Sequence, residues 1–239
     1  MWISGEMTLT NTALSGTQWF RKEIICTRIA IVTVLLLASP QLSAQTLQYL
    51  DETLHYSFTL PQGWTQVPSN VLRDHFAEVA KNAGIAELNY TAGFQRTSDQ
   101  WLSYPYVLVR HHPVNSATFG EIARNLDASM PQAVERIEDQ DLLSNAQFDQ
   151  VLSDSKRLLV LMPMSMDVAR VGPVRLMSAF KPGRAGLVQI TLYSTDADFG
   201  VQYREFDILL DSLTFAPGYE YSTTVTVLRK FDWGRVVER

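Results

Sequence analysis

Only one cysteine, Cys26, occurs among the 239 residues, and it lies close to the start of the chain. Beyond that position no thiol catalyst, thiolate metal site or disulfide framework can be built. Several catalytic motifs are also absent: a Gly-x-Ser-x-Gly elbow, a phosphate-binding Gly-x-x-x-x-Gly-Lys loop, a dinucleotide glycine fingerprint and a His-Glu-x-x-His pair. We therefore expect a protein that is not an enzyme and that uses no cofactor.

An excess of basic charge is missing as well. The chain has 20 Lys and Arg residues against 25 Asp and Glu residues, a formal net charge of −5. Without the first 44 residues it has 17 basic and 23 acidic side chains in 195 residues. This balance argues against a nucleic-acid partner, and the remaining length is enough for one domain whose core needs no disulfides.

Residues 1–44 have the pattern of a leader that contains a signal peptide. The basic pair Arg21-Lys22 precedes an apolar run from Ile29 to Ala38, and Pro40 and the small residue Ala44 follow. The run is shorter than the ~20 apolar residues of a membrane-spanning helix, so we favour cleavage after Ala44. The mature protein is then periplasmic or extracellular, and a retained N-terminal membrane anchor is the alternative.

Apolar residues that alternate with polar ones predict most of the strands. Short connections, such as a turn at Pro182-Gly183, indicate antiparallel neighbours. The predicted strands are Leu47 to Leu50, His55 to Leu60, Leu88 to Phe94, Tyr106 to His111, and a meander of Phe148 to Ser153, Arg157 to Asp167, Val174 to Phe180 and Leu187 to Tyr193.

Helical spacing of apolar residues predicts three helices. Their starts are marked by capping residues: Ser69 or Asn70, a capping box from Thr118 to Glu121, and Asp196 or Asp198. Pro131 is expected to kink the second helix or to end it early. The third helix carries a long apolar stripe that includes Phe206 and Leu210, so we expect it to be essential for folding.

Two short motifs bracket this series of elements. The strand predicted over His55 to Leu60 runs into Pro61-Gln62-Gly63-Trp64, whose tryptophan we expect to pack in the core, and the last helix ends in Leu210-Asp211-Ser212-Leu213. In its motifs and its order of elements, the stretch from Leu47 to about Phe215 resembles the PsbP-like superfamily. That group includes photosystem extrinsic proteins and many small bacterial envelope proteins of unknown role.

The resemblance implies an α/β (α+β) fold, an α/β/α sandwich around a central antiparallel sheet, and a noncatalytic accessory or binding role. No family binding residue transfers to this chain, because no site motif can be matched to a position. The expected organisation is a leader and signal peptide over 1–44, a PsbP-like domain over 45–216, and a C-terminal strand with a basic and aromatic tail over 217–239.

The tail is the first of two candidate binding segments. After an alternating stretch from Tyr219 to Val227, it contains Arg229, Lys230 and Trp233, a combination that suits peripheral docking on a membrane or a partner. Because acidic residues dilute this charge, packing of the tail as an extra edge strand is the preferred interpretation.

The second candidate segment is a methionine face. Met162, Met164 and Met166 alternate on a predicted strand, so three thioethers project to one side and could bind Cu(I). Leu158 and Val160 continue the same face, which favours core packing for the methionines. The consecutive His111 and His112 point to opposite faces and cannot chelate one metal together.

The sequence therefore predicts an exported, noncatalytic accessory or binding protein of the cell envelope that acts through a protein partner. The alternatives are a Cu(I)-binding periplasmic module that uses the methionine face, a membrane-anchored protein, and an unrecognised enzyme.

Overall fold

The computed structural model describes residues 46–83, 88–113, 118–138 and 143–222, which all fall in one compact unit, Gln45–Arg239. The predicted leader and the tail from residue 223 lie outside the described residues, so the signal peptide and its cleavage stay predictions. Among the helices that are described, none is long and apolar enough to cross a membrane.

The strands and helices follow the predicted order, except that the strand predicted over Phe148 to Ser153 is interrupted, because residues 149–151 belong to no strand. The strands are β1 (Leu47–Asp51), β2 (Tyr56–Leu60), β3 (Trp64–Gln66), β4 (Ala92–Arg96), β5 (Tyr106–His112), β6 (Leu143–Phe148), β7 (Leu152–Asp154), β8 (Leu159–Val168), β9 (Gly172–Gly183), β10 (Gly186–Thr195) and β11 (Thr214–Phe215). The helices are α1 (Ser69–Ala83), α2 (Phe119–Glu138) and α3 (Phe199–Ser212).

The strands form two antiparallel sheets. The large sheet has the order β3-β4-β5-β10-β9-β8-β6, and β7 also pairs with β8. The small sheet has the order β1-β2-β11. The hairpin of β9 and β10 forms the middle of the large sheet and pairs without interruption from Val174 opposite Thr195 to Gly183 opposite Gly186.

Helices cover both faces of the large sheet. Neighbouring residues of its strands point to opposite sides, so each face presents its own apolar side chains for a helix to pack against. Val109 of β5 packs with Phe206 of α3 and with the small sheet, in the largest hydrophobic cluster. Leu108 points the other way and packs with Leu72 of α1, while Phe180 of β9 packs beneath α2. The predicted α/β/α sandwich is therefore confirmed. We call its two sides the α3 face and the α1/α2 face.

Several local predictions are confirmed in atomic detail. The Thr118 amide donates to the Glu121 carboxylate at 2.7 Å, and the Glu121 amide donates to the Thr118 hydroxyl at 3.3 Å, as a capping box requires. Trp64 is buried in the core of the α3 face. Its indole N–H donates to Glu205 of α3 at 2.9 Å, and Arg96 pairs with the same carboxylate.

Other predictions need correction at the ends of strands. Leu88 and Tyr90 do not join β4 but pack against the cluster that contains Phe76 of α1, with the Tyr90 ring centroid 4.4 Å from that of Phe76. Arg157 lies in the turn before β8, where its guanidinium binds Asp154. The residues Pro182-Gly183 do not form a turn but belong to β9. Proline is tolerated there because β8 stops pairing with β9 beyond Phe180.

Two helix predictions also need correction. The early end at Pro131 is wrong, since α2 continues to Glu138 with Leu126 and Ala133 buried on either side of the proline. Asp198 does precede α3, but its side chain makes no capping bond. The Thr195 hydroxyl donates to the Asp198 carboxylate at 2.8 Å, and this bond occupies the predicted capping group.

Candidate functional site

A buried polar network lies in the middle of the α1/α2 face, on strands β5, β10 and β9. His112 Nε2 and Gln189 Oε1 are 2.6 Å apart, and Gln189 Nε2 donates to Thr191 Oγ1 at 3.1 Å. The hydroxyls of Thr191 and Ser178 are 2.9 Å apart. These donors and acceptors satisfy one another, so the network serves the register of the sheet rather than offering a free ligand group.

The chemistry of His112 does not suit base catalysis at this network. Burial lowers the pKa of His112 to about 4, with nearby Arg110 contributing, so the imidazole is neutral at pH 7. Because the amide oxygen of Gln189 can only accept, His112 Nε2 carries the proton. Gln189 stands between His112 and Ser178, so the imidazole is not placed to take a proton from that hydroxyl.

A group of tyrosines lies on the same face of the large sheet as the polar network. The rings of Tyr106 and Tyr193 stack with centroids 4.8 Å apart, and the ring of Tyr104 lies 5.1 Å from that of Tyr106. Burial raises the pKa of all three hydroxyls and that of Tyr90 above the usual tyrosine range. The hydroxyls are therefore neutral, and they can donate or accept hydrogen bonds but cannot attract a cation by charge.

A loop over 97–103, which we call the Trp101 loop, lies next to these tyrosines. Trp101 at its tip has 41% of its surface exposed. The neighbouring Leu102 turns inward and packs in the cluster that contains Leu72 and Phe76 of α1. The loop therefore presents a large aromatic side chain to solvent while the next residue fixes the loop to the core.

The Trp101 loop is held by the side chain of Gln95, which is completely buried on β4. Gln95 Nε2 donates to the carbonyl of Gln100 at 2.9 Å, and Gln95 Oε1 accepts from the amide of Leu102. One amide side chain thus bonds the backbone on both sides of Trp101. The Ser103 hydroxyl adds a bond to the Gln100 carbonyl at 3.1 Å. Trp101 is therefore displayed by an ordered loop.

The three methionines lie on one face of β8, as their alternation predicts. Met162 packs in the cluster under α2, whereas Met164 and Met166 pack in a neighbouring cluster with Val174 and Leu176 of β9. Met166 is buried, and the other two are half-buried. Their surroundings are apolar, which suits core packing. Binding of Cu(I) stays a prediction.

The histidines are spread over the fold. His112 points to the α1/α2 face, and its neighbour His111 lies on the opposite side of β5. The ring of His55 lies against that of Tyr219, with centroids 3.8 Å apart. Within the described ranges, no group of three His, Cys, Asp or Glu side chains could hold a metal ion.

The predicted docking residues Arg229, Lys230 and Trp233 lie outside the described residues, so their role stays a prediction. Just before them, Glu220 forms a bridge with Gly183 of β9, and the Tyr221 hydroxyl accepts from the Phe119 amide at 3.0 Å. The chain up to residue 222 thus packs against the domain.

Sequence reasoning missed the polar network and the Trp101 loop. A signal for the network was present, because Gln189 and Thr191 are polar residues two apart inside the otherwise apolar stretch from Leu187 to Leu192. The loop gave no such signal. The residue that orders it, Gln95, looks like the polar member of an ordinary alternating strand.

The chain matches no protein-family profile and none of the curated proteins. The solution structure of PsbP (CyanoP) from Synechocystis sp. PCC 6803 is similar, with a TM-score of 0.44, 14% identity, and coverage of 75% of this chain and 97% of that chain. A PsbP protein is thus among the structural neighbours, as the sequence resemblance predicts.

Two further solved structures are similar to this chain. LpqN, involved in cell envelope biogenesis of Mycobacterium tuberculosis, has a TM-score of 0.37 and 9% identity over 74% of this chain and 88% of its own. A protein of unknown function and putative regulator from Pseudomonas aeruginosa has a TM-score of 0.34 and 12% identity over 72% and 99%.

Proposed function

We propose that this chain is an exported, noncatalytic accessory protein of the cell envelope that binds a protein partner through the Trp101 loop. The leader pattern over 1–44 supports export. The observation that carries the binding role is the exposed Trp101 on a loop that Gln95 holds in place.

The energetics of binding favour such a loop as a contact site. Tryptophan is enriched among the few interface residues that supply most of the binding energy. A loop that is already ordered loses little conformational entropy when it docks, so more of the contact energy appears as affinity. Leu102 and Gln95 provide this order here, since one packs into the core and the other bonds the loop backbone.

Affinity capture of the tagged full chain from fractionated cells tests the proposal. Trp101→Ala removes the exposed ring, and Val171→Ala is the matched control because Val171 is also exposed, at 48%, on a turn between β8 and β9. Circular dichroism and melting temperature should be unchanged in both variants. We expect an envelope protein to be captured by the wild type and by Val171→Ala, and its recovery to fall at least tenfold with Trp101→Ala.

Two results would contradict the proposal. Equal recovery with Trp101→Ala and Val171→Ala would move the binding site away from the loop. No reproducible partner of the wild type in any envelope fraction would argue against the binding role itself. Intact mass of the captured chain adds a test of export, since cleavage after Ala44 gives a chain that begins at Gln45.

Binding of Cu(I) is the second candidate, because the three methionines do share one face of β8. Peripheral membrane docking through Trp233 and an unrecognised catalytic activity are further alternatives, and no contact among the described residues favours either of them.

A further inference from the structure

The open edges of the two sheets differ in how they are protected against pairing with another strand. The edge strand β11 has only two residues, and the edge strands β3 and β7 have only three each. The edge strand β6 has an irregular register between Ser144 and Gln147, where Asn145 adopts a φ of 53°. Short strands and bulges are common means of blocking an edge. The remaining edge, β1, has neither: its five residues pair with β2 in unbroken register.

The hydrogen bonds of β2 show which N–H and C=O groups of β1 face the free edge. Thr59 lies opposite Gln48, but its amide donates to Ser212 Oγ at 2.8 Å and its carbonyl accepts from the same hydroxyl at 3.3 Å. Both backbone groups of Thr59 therefore point away from β1. In an antiparallel ladder such residues alternate with hydrogen-bonded ones, so Gln48 and Leu50 direct their N–H and C=O groups to the free edge.

No described residue hydrogen-bonds these outward groups of Gln48 and Leu50. Their side chains are exposed too. Leu50 has 60% of its surface exposed, the largest fraction of any large hydrophobic residue in the described ranges. The edge of β1 thus combines an unpaired backbone with an apolar side chain, which is the combination that favours addition of another strand.

We propose that β1 pairs antiparallel with β1 of a second copy of this chain, about a two-fold axis that passes beside Tyr49. This register sets Gln48 of one copy opposite Leu50 of the other, and each of these pairs can exchange both of its backbone hydrogen bonds. Every outward group of the strand is then satisfied. The small sheets of the two copies join into one continuous sheet.

The side chains of β1 suit pairing with itself. The two Leu50 side chains are diagonal neighbours on the outer face, close enough to cover one another. Asp51 lies opposite Leu47, so the register sets no like charges against each other. This self-complementarity favours a second copy over a strand of another protein. A five-residue edge buries far less than the ~1,600 Å² of a standard interface, so the dimer is weak, with a dissociation constant between about 10 μM and 1 mM.

Sedimentation equilibrium tests the dimer, with protein that is purified from cells expressing the full chain. The mass should rise from that of the monomer toward twice that value as the concentration approaches ~1 mM. Gln48→Pro removes an N–H that points outward and that the β1–β2 ladder does not use, so it should weaken the dimer about tenfold or more while the fold is kept. The matched control Gln48→Ala keeps the N–H and should dimerise like the wild type.

Two results would overturn the proposal. A monomer at every concentration would mean that β1 does not pair with itself, and a dimer that Gln48→Pro leaves unchanged would place the interface elsewhere. If Gln48→Pro fails to fold, amide exchange of the wild type decides. The amides of Gln48 and Leu50 should gain protection as concentration rises while that of Tyr49, already bonded to β2, stays constant. An equal change at all three positions would contradict β1 pairing.

Discussion

The ring of Phe215 lies directly over Gly183, so that a Cβ added to the glycine would stand 2.5 Å from two ring carbons. Phe215 belongs to β11, and its ring also packs against that of Tyr56 in β2, with centroids 6.1 Å apart. This contact joins the small sheet to the end of β9. Glycine is needed at position 183 because the ring approaches so closely.

Gly183→Ala should lower the free energy of unfolding by about 1–3 kcal/mol, because Phe215 must move to make room for the methyl group. Urea unfolding followed by circular dichroism measures this change. Gly200→Ala is the matched control: no atom lies within 4 Å of its added Cβ, and the residue belongs to α3. There alanine should stabilise the protein by up to about 1 kcal/mol. Equal effects of the two substitutions would contradict the packing argument.

Arg157 connects the turn before β8 to α3. Its guanidinium binds Asp154 at 2.7 Å, Asp207 at 2.7 Å and Asp211 at 2.8 Å. Arg157→Gln leaves these carboxylates without their shared cation, and we expect the free energy of unfolding to fall by about 1–2 kcal/mol at low salt and by less in 1 M NaCl.

The matched control for Arg157 is Arg73→Gln. Arg73 forms an ion pair with Asp74 in which both side chains are exposed to solvent. Loss of this pair should change the free energy of unfolding by less than about 0.5 kcal/mol. A salt-independent loss for Arg157→Gln would show that packing of the side chain, rather than its charge, accounts for the effect.

The sequence predicted the fold best where one local pattern decided the structure. Alternation located β8, β9 and β10, and the Thr118–Glu121 box located the start of α2. Prediction from the sequence failed where tertiary contacts outweighed the local pattern. Leu88 alternates like a strand residue, yet it packs on α1, and Pro182 resembles a turn residue but lies where β9 has lost its neighbour β8.

The candidate site was less predictable, because its parts meet only in the folded chain. Trp101 stands in a polar loop that resembles many others in sequence, and no sequence pattern shows that Gln95, near the end of the preceding strand β4, bonds the backbone groups on both sides of it. Likewise, the free edge of β1 follows from the contact of Thr59 with Ser212, which are 153 residues apart. Spacing along a sequence does not report contacts of this range.

The buried His112 predicts a loss of stability in acid. Its pKa is lowered to about 4 in the folded protein, mainly by burial, against an ordinary value of 6.5. Between these pH values the unfolded chain binds a proton that the folded chain does not, so stability falls as pH falls from about 6.5 to about 4, by about 3 kcal/mol in all. His112→Gln should flatten this part of the stability curve in urea unfolding at a series of pH values. A slope equal to that of the wild type would contradict the burial argument.

Gln95→Leu tests whether the Trp101 loop is ordered by one side chain. Leucine has a similar size, but it leaves the Leu102 amide without its side-chain partner and the Gln100 carbonyl with the Ser103 hydroxyl alone, at a cost on the order of 2 kcal/mol. We expect lower stability, faster amide exchange over 97–103, and weaker partner capture even though Trp101 is still present. Unchanged exchange in the loop would show that its serine and backbone contacts are sufficient.

Met164→Leu separates core packing from copper binding. A volume-conserving substitution in an apolar cluster should change the free energy of unfolding by less than about 1.5 kcal/mol. Because Met162 and Met164 pack in different clusters, the packing explanation predicts that Cu(I) titration gives the same affinity for the variant and the wild type. A site that needed all three thioethers would lose a ligand, and its affinity would fall at least tenfold. That result would establish the methionine face as a copper site, since core packing alone gives no reason for a change in Cu(I) affinity.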